Sequence, residues 1–460
     1  MGNKKNAWLK FDDTKKEEIF SFCEGYKKYI SDCKTERESI KEAIYLAESK
    51  GYRDLKNVIS AGKSLKAGDK VYYNNMDKSL ALFLIGSESI ESGMRIIGSH
   101  VDSPRLDLKP NPLYEDSELS LMETHYYGGV KKYQWVTIPL ALHGVVVKKD
   151  GTKIDVVVGE EETDPVVMVS DLLVHLASEQ QQKKATEVIA GEDLNILVGS
   201  MPLEGEEKEA VKANILKLLK EKYDFEEEDF MSAEIEIVPA GKARDLGLDR
   251  SMVAGYGHDD RICAYTSLLA LLETESTKKT SVVLLVDKEE VGSIGATGMQ
   301  SRFFENAVAE LMDRVGEYSE LKLRRALANS KMLSSDVTAA FDPNYAGAYE
   351  KKNSAFFGKG LAFAKYTGAR GKSGCNDANA EFVAWLRNVM DENYVAYQMA
   401  ELGKVDQGGG GTIAYILAEY GMEVIDCGVA LQNMHAPWEV ASKVDIFETM
   451  RGYKAFLMAE

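Results

Sequence analysis

The sequence predicts an α/β protein in which a mostly parallel sheet is flanked by helices and carries one long insertion. After Asp259, apolar stretches with the length of strands alternate with helical patterns. Such alternation is typical of βαβ units, whose strands run parallel. Between Asp107 and Ala243 a pair of neighbouring strands and a highly charged helical run replace this alternation. We therefore predict an α/β domain formed by residues 1–106 and 244–460, with residues 107–243 inserted into it.

The individual elements follow from local patterns of charge and hydrophobicity. Residues 13–50 have a charged helical pattern, with Asp13 and Thr14 as candidate N-terminal caps and Gly51 at the C-terminal end. Elsewhere short apolar runs predict strands, and longer amphipathic or charged runs predict helices. In chain order these elements are a turn at 72–77, strands at 81–85, 94–98, 137–147 and 153–158, a turn at 149–151 between the last two, a charged helix within 206–230, a strand at 233–238, a helix at 261–273, a strand at 281–286, a helix at 303–315, a strand at 331–335, helices at 377–390 and 412–419, and a strand at 424–429.

The composition indicates a folded, soluble protein. Of the 460 residues, 45% are hydrophobic and 28% are charged, which is too apolar for a disordered chain. The formal net charge is −18, so nucleic acids and anionic membranes would be repelled, and neither is expected as a partner. The longest apolar stretch, 133–147, is shorter than a membrane span and contains polar side chains.

Cysteine usage and the N-terminal residues both predict a cytoplasmic location. The five cysteines are odd in number, widely spread and without a CxxC pair, which argues against a disulfide framework or a thiolate zinc site. Residues 1–10 are polar and rich in lysine, and they lack the apolar core of a secretory signal.

Polar clusters occur at or after several of the predicted strands. They are His100 with Asp102, Asp259 with Asp260, Glu289 with Glu290, Asp336, and His435. Each cluster alone is more typical of a surface loop, and the two adjacent aspartates also suit the first turn of a helix. Because the carboxyl ends of parallel strands meet at one edge of a sheet, we expect these side chains to lie close together.

The combined set of side chains suits a centre of two divalent metal ions. Such ions take imidazole and carboxylate ligands, and one carboxylate commonly bridges them. A further carboxylate is then needed as a general base for water. The adjacent Glu289 and Glu290 can divide the roles of base and ligand, because neighbouring side chains on an extended backbone point in different directions.

Five segments, in order and spacing, resemble the aspartyl aminopeptidase family, which also includes vacuolar aminopeptidase I and many bacterial members. These segments are GSHVDSPRLDLKP at 98–110, GYGHDDR at 255–261, DKEEVGSIGATG at 287–298, SSDVTAAFDPNY at 334–345 and NMHAPWE at 433–439. The resemblance spans nearly the whole chain. It implies a zinc-peptidase fold with an inserted, mainly-β dimerisation domain at 107–243, and a metalloaminopeptidase that hydrolyses the N-terminal peptide bond of peptides.

The resemblance also implies a role for each residue of the centre. The implied cofactors are two divalent metal ions per subunit, expected to be Zn²⁺, with Co²⁺ or Mn²⁺ as alternatives. The implied ligands are His100 and Asp336 for one ion, Glu290 and His435 for the other, and Asp259 as the bridge. Glu289 would be the general base that acts on a metal-activated water, and Asp102 would orient His100.

The preferred N-terminal residue of the substrate stays open between acidic and neutral or broad. Lys359 matches a lysine that the resemblance places near the substrate side chain, where it would pair with an acidic residue. Ala339 stands where the aspartyl-specific members carry a histidine, and this difference argues against a preference for aspartate. Two other functions remain open: an amide deacylase or other hydrolase on the same di-metal scaffold, and a non-catalytic, peptide-binding shell.

The resemblance further implies self-association. Family members form homodimers that assemble into a tetrahedral dodecamer, and a histidine-bearing segment of the insert reaches the active site of a neighbouring subunit. In this chain His175 lies in that segment, while Asp171 stands in place of an earlier histidine. A helix histidine between Leu172 and Leu176 is the alternative interpretation of His175.

Overall fold

The computed structural model describes residues 5–460, so the first four residues of the polar N-terminal segment 1–10 lie outside it. The α-helices of the described chain are α1 (Asp13–Asp32), α2 (Glu36–Ser49), α3 (Leu55–Ser60), α4 (Ala210–Tyr223), α5 (His258–Leu272), α6 (Phe303–Arg314), α7 (Glu320–Ala328), α8 (Ala380–Glu392), α9 (Ala414–Ala418) and α10 (Lys443–Met458). The strands are β1 (Arg53–Asp54), β2 (Lys70–Asn75), β3 (Ser79–Leu84), β4 (Met94–His100), β5 (Arg105–Asp116), β6 (Leu119–Tyr127), β7 (Leu140–Val147), β8 (Lys153–Val158), β9 (Met168–Val169), β10 (Ile196–Gly199), β11 (Ala233–Pro239), β12 (Arg244–Leu246), β13 (Met252–Gly255), β14 (Thr280–Val286), β15 (Lys331–Ser335), β16 (Thr338–Ala339), β17 (Leu361–Ala364), β18 (Tyr397–Met399), β19 (Glu423–Gly428), β20 (Ala430–Gln432) and β21 (Glu439–Ser442).

The described chain divides into two compact units. The first unit contains the described residues through Asp102 together with Ala243–Met434 and Glu439–Glu460. The second unit contains Ser103–Lys242 and the short segment His435–Trp438. Within residues 5–460, no helix combines the length and the apolar composition that a membrane span requires.

The first unit is built on a nine-stranded sheet in the order β1-β2-β3-β14-β4-β15-β19-β17-β18. The four central strands, β14, β4, β15 and β19, run parallel to one another, while β3 and β17 run antiparallel to the central strands beside them. The predicted α/β class with a mostly parallel sheet is therefore confirmed. The register pairs His100 with Val286 and Ser335 with Cys427, so the central strands end at one common edge.

The central strands form because their residues are apolar on both faces. Every residue of β4 and β14 is buried, as expected for parallel strands that are covered by helices on both sides. Ile97, Val283 and Leu333 pack into one hydrophobic core that includes residues of α5, α8 and α10. Ile96 and Leu284 pack into the other core, with residues of α6, α7 and α9.

A second sheet of the first unit has five strands in the order β12-β13-β21-β20-β16. Its strand β13 runs antiparallel to β21, and this pairing sets Gly255 opposite Glu439. Helix α5 begins three residues after β13, at His258. The small sheet therefore places the first turn of α5.

The second unit contains a seven-stranded sheet in the order β8-β7-β11-β5-β6-β10-β9. All of its strand pairs are antiparallel, and β7 and β8 form the predicted hairpin. This sheet confirms that the inserted segment is mainly β. Its one long helix, α4, occupies Ala210–Tyr223 of the described chain.

Several predicted element boundaries are wrong for identifiable reasons. The region predicted as one helical pattern at 13–50 contains two helices, because Thr35 and Glu38 form a capping box at which a second helix, α2, begins. The N-cap of α1 is Asp12, whose carboxylate accepts the N–H of Lys15, and not Asp13 or Thr14.

The predicted turn at 72–77 is also too long. Residues 72–75 belong to β2, and only Met76 and Asp77 adopt the left-handed conformation, with φ of 58° at each. The predicted helix within 206–230 is confined to α4 and is followed by a 3₁₀ turn at Glu227–Ser232.

Leu284→Ala tests the central role of β14 in stability. Leu284 is 0% exposed between the two neighbouring strands, so the truncation should leave a cavity and lower the free energy of unfolding by about 2–5 kcal/mol. The measurement is urea-induced unfolding. Leu321→Ala is the control, because Leu321 is 57% exposed on α7 and its truncation should change stability by less than about 0.5 kcal/mol. Equal losses in the two variants would contradict the assignment of Leu284 to the core.

Candidate metal centre

His100 lies at the middle of a group of carboxylates in the first unit. It is the last residue of β4, and its side chain is 2% exposed. Its Nε2 atom is 3.1 Å from Asp259 Oδ1, 3.8 Å from Asp336 Oδ1 and 3.9 Å from Glu289 Oε2. The structure therefore brings four of the predicted site residues together.

These carboxylates come from three separate segments that meet at the edge of the sheet. Asp336 follows β15 directly, and its N–H donates to Cys427 O at the end of β19. Glu289 and Glu290 lie in a 3₁₀ turn, Glu289–Val291, that follows β14. Asp259 is in the first turn of α5. Ligand atoms of His100, Glu289 and Glu290 all lie within 4.8 Å of one another.

Asp102 connects His100 to the pair of glutamates. The closest Asp102 atom to His100 Nδ1 is the backbone oxygen, at 2.9 Å, and Asp102 Oδ1 is 3.3 Å away. The two oxygens of the Asp102 carboxylate accept the backbone N–H groups of Glu289 and Glu290, each at 3.2 Å. Asp102 contacts the imidazole, and it also holds the backbone of the glutamate turn, a role that the sequence did not predict.

Asp260 is a further carboxylate of the centre, and the resemblance implied no role for it. It is 0% exposed, and one of its oxygens lies within 4.8 Å of the ligand atoms of His100 and Asp336. Burial, followed by the charge of Asp336, raises the pKa of Asp260 well above its usual value. In the sequence, Asp260 is the second aspartate of GYGHDDR. Its position before a predicted helix suited a helix cap as well as a metal centre. The N-cap residue of α5 is in fact Gly257.

The charges of the centre favour a bound cation. Burial alone would lower the pKa of His100, but the surrounding carboxylates, beginning with Asp102, raise it well above its usual value. Burial and the charges of Asp336 and Asp102 raise the pKa of Glu289 to about 8. The surrounding carboxylates therefore favour positive charge at the position of the imidazole.

This donor set fits a divalent ion of borderline hardness. Zinc is bound in proteins by imidazole nitrogen and carboxylate oxygen. Both kinds of donor atom are present here and lie within 4.8 Å of one another, close enough to bind the same ion. A divalent cation would also offset the excess of negative charge around His100.

The other predicted residues have the following positions. His435 belongs to the second unit, where its Nδ1 is 2.8 Å from Gly129 O, and it adopts a left-handed backbone conformation with φ of 66°. His175 also belongs to the second unit, in an exposed 3₁₀ turn, Val174–Leu176, and not in an α-helix.

Lys359 is half-buried in the loop before β17. Ala339 is the last residue of β16.

An imidazole among carboxylates at the carboxyl edge of a mostly parallel sheet defines a metal-dependent hydrolase. The family model described as "Aminopeptidase I zinc metalloprotease (M18)" matches residues 29–457, and the chain belongs to this peptidase M18 family. The protein is a zinc metalloaminopeptidase, as the sequence motifs predicted.

Relatives cover nearly the full length of the chain. The probable M18 family aminopeptidase 1 of Clostridium acetobutylicum is 66% identical over 454 residues, which are 98% of each chain. The crystal structure of the M18 aminopeptidase from Thermotoga maritima has a TM-score of 0.95 at 45% identity, with 99% of both chains covered. The structure of the S. cerevisiae mApe1 dodecamer has a TM-score of 0.77 at 20% identity, covers 95% of this chain and 96% of that chain, and shares the fold.

Asp102→Ala tests the connection between His100 and the glutamate turn. The variant removes the acceptor of the Glu289 and Glu290 N–H groups, so the centre should loosen and its zinc affinity should fall about 10–100-fold. The measurement is competition for zinc with a chromophoric chelator. Asp12→Ala is the matched control, since it also removes a carboxylate that accepts a backbone N–H, and it should leave zinc affinity unchanged. Equal zinc affinity in the wild type and the Asp102 variant would contradict this role.

Proposed function

We propose that His100, Asp259 and Asp336 hold one zinc ion and that Glu289 is the general base of peptide-bond hydrolysis. The observation that carries this proposal is the position of His100 Nε2, which faces one oxygen of each of these three carboxylates at 3.1–3.9 Å. The proposed reaction is hydrolysis of the N-terminal peptide bond of a peptide.

A second divalent ion is proposed for Glu290 and His435, with Asp259 as the bridging ligand. Glu290 is adjacent to Glu289 in the same turn, and Asp102 holds the backbone of both residues. His435 supplies an imidazole, the donor type that zinc accepts alongside carboxylate. Two ions per subunit would also account for a centre that has more carboxylates than one tetrahedral ion needs.

The bound ions would supply Lewis-acid polarisation of the scissile carbonyl and would activate water. Glu289 would accept the proton of the attacking water and later donate it to the amine that leaves. Asp102 would keep Glu289 in position by accepting its backbone N–H, and it would keep the imidazole of His100 directed toward Asp259. Asp259 and Asp336 would hold His100 and the ion in a fixed geometry.

Glu289→Gln tests the assignment of the base. Glutamine has the size of glutamate but does not accept a proton, so hydrolysis of aminoacyl anilides should fall about 10²–10⁴-fold in the presence of zinc, cobalt or manganese. Zinc content, measured in the same samples, should stay at the wild-type level. Glu17→Gln, at an exposed position of α1, is the control and should keep full activity. Full activity in Glu289→Gln would overturn the proposed mechanism.

Two residues bear on the substrate preference, and they favour different substrates. Lys359 would favour an acidic N-terminal residue through a charge-assisted hydrogen bond. Ala339 provides no polar group and favours neutral or broad specificity. Hydrolysis of a panel of acidic and neutral aminoacyl anilides by the wild type and by Lys359→Met decides between the two.

The inserted segment, 107–243, is proposed as the dimerisation domain, and residues 1–106 with 244–460 as the catalytic domain. The second unit exposes an apolar turn in which Leu172 is 46%, Leu173 54%, Val174 66% and Leu176 66% exposed. Contiguous exposed apolar surface of this kind is typical of protein interfaces. We propose homodimers that assemble into a tetrahedral dodecamer, the number of subunits in the mApe1 structure, with His175 in the subunit contact.

Val174→Asp tests this assembly. Burying the new carboxylate in an apolar interface would remove it from water, and this cost should weaken the contact between subunits. The assembly of the variant should therefore have a smaller mass in solution than that of the wild type. The measurement is light scattering coupled to size-exclusion chromatography. Leu321→Asp places the same charge at an exposed apolar residue of α7 in the first unit and should keep the wild-type mass. Retention of the wild-type mass by Val174→Asp would place the subunit contact elsewhere.

A cytoplasmic location is proposed from the cysteines. All five are free thiols in the structure, four of them are buried, and Cys375 is half-buried. Free thiols persist where the compartment is reducing.

A further inference from the structure

The first turn of α5 is a run of four polar residues that is almost completely removed from solvent. His258, Asp260 and Arg261 are 0% exposed, and Asp259 is 3% exposed. Burial of polar and charged groups is costly unless each group has partners. The position of Asp259 therefore depends on the groups that satisfy this turn.

Glu439 satisfies the backbone of Asp259 directly. Its Oε2 atom accepts the N–H of Asp259 at 3.0 Å, and Glu439 itself is 1% exposed. An N–H group in the first turn of a helix has no acceptor within the helix. Since β21 pairs with β13 and sets Glu439 opposite Gly255, the carboxylate is held by the small sheet immediately beside the start of α5.

The neighbours of Asp259 are held from other directions. The Tyr26 hydroxyl lies 2.5 Å from His258 Nδ1. The guanidinium of Arg261 donates to Lys34 O at 2.7 Å and to Tyr256 O at 3.1 Å. Both flanks of Asp259 are anchored in this way, and the Glu439 hydrogen bond holds the N–H of Asp259 between them.

The choice of a carboxylate at position 439 has an electrostatic consequence. A neutral amide oxygen would accept the same N–H, and a buried carboxylate near Asp259 and Asp260 is subject to like-charge repulsion. An ionised carboxylate at this position adds to the negative potential that attracts a cation, and the hydrogen bond that it accepts is charge-assisted and stronger than a neutral one. The hydrogen bond holds the backbone of Asp259 and thereby positions its carboxylate, whose Oδ1 is 3.1 Å from His100 Nε2.

We propose that Glu439 is a positioning residue for Asp259 and that it sets the zinc affinity of the centre. This inference rests on the proposed role of Asp259 as a metal ligand. Glu439 acts through the backbone of Asp259, so its loss displaces a ligand without removing one.

The test uses three variants of the full chain: Glu439→Gln, Glu439→Asp and Glu439→Ala. Zinc affinity is measured by chelator competition, and the visible spectrum of the cobalt-substituted protein reports the ligand geometry. Glu439→Ala should weaken zinc binding about 10–100-fold and change the cobalt spectrum. Glu439→Gln keeps the acceptor, so it should weaken zinc binding less than about 10-fold and keep the spectrum. Glu439→Asp shortens the side chain by one methylene and moves the carboxylate away from the N–H of Asp259. Its zinc affinity and cobalt spectrum should therefore resemble those of Glu439→Ala.

The control is Glu115→Ala in the second unit. The carboxylate of Glu115 accepts the backbone N–H groups of Val211 and Lys212 at 2.9 and 3.0 Å, so its loss is of the same chemical kind. It should lower thermal stability and leave both zinc affinity and the cobalt spectrum unchanged.

Each outcome has a defined meaning. Wild-type zinc affinity and spectrum in Glu439→Ala overturn the inference. If Glu439→Ala does not fold, equal zinc affinities in Glu439→Gln and Glu439→Asp overturn it, and weaker binding in Glu439→Asp alone supports it. Absence of zinc binding in the wild type refutes the proposed ligand role of Asp259 instead, which separates the two failures.

Discussion

The concentration of negative charge around His100 is the constraint on which the rest of the first unit depends. Several buried or half-buried carboxylates lie within about 4 Å of one imidazole, where like charges repel each other, so the backbones that carry them have to be held in place. The parallel strands β4, β14 and β15 supply that fixation by ending at one edge. Asp102 then holds the glutamate turn, and Glu439 holds the first turn of α5. A divalent cation turns this repulsion into attraction.

Much of the sheet could be predicted from the sequence, because fully buried parallel strands are continuous apolar runs. The predicted strand at 331–335 coincides with β15, the one at 281–286 differs from β14 by one residue at one end, and the one at 424–429 differs from β19 by one residue at each end. The proximity of His100, Glu289 and Asp336 followed from the same reasoning, since side chains just beyond parallel strands share an edge. The break between α1 and α2 was missed although Thr35 and Glu38 have the capping-box spacing, and the small sheet was missed because long-range strand pairing has no local signal.

The bonds that organise the centre could not be predicted, because they join residues far apart in the chain through backbone groups. Asp102 and Glu289 are 187 residues apart, and Glu439 and Asp259 are 180 apart. A sequence pattern identifies candidate catalytic and ligand side chains, but it does not show which backbone N–H group donates a hydrogen bond to a given carboxylate. Asp260 shows the same limit, because its burial against His100 and Asp336 depends on how α5 meets the sheet.

The position of the insertion has a consequence for folding kinetics. The chain leaves the first unit after Asp102, two residues beyond His100, and returns at Ala243, 16 residues before Asp259. Contact between His100 and Asp259, which are 159 residues apart, therefore closes a loop that contains the second compact unit. Contacts of high sequence separation must overcome loop-closure entropy before they stabilise the fold, and they are associated with slow folding. The contact between His100 and Asp259 is therefore expected to form after the local contacts within each unit.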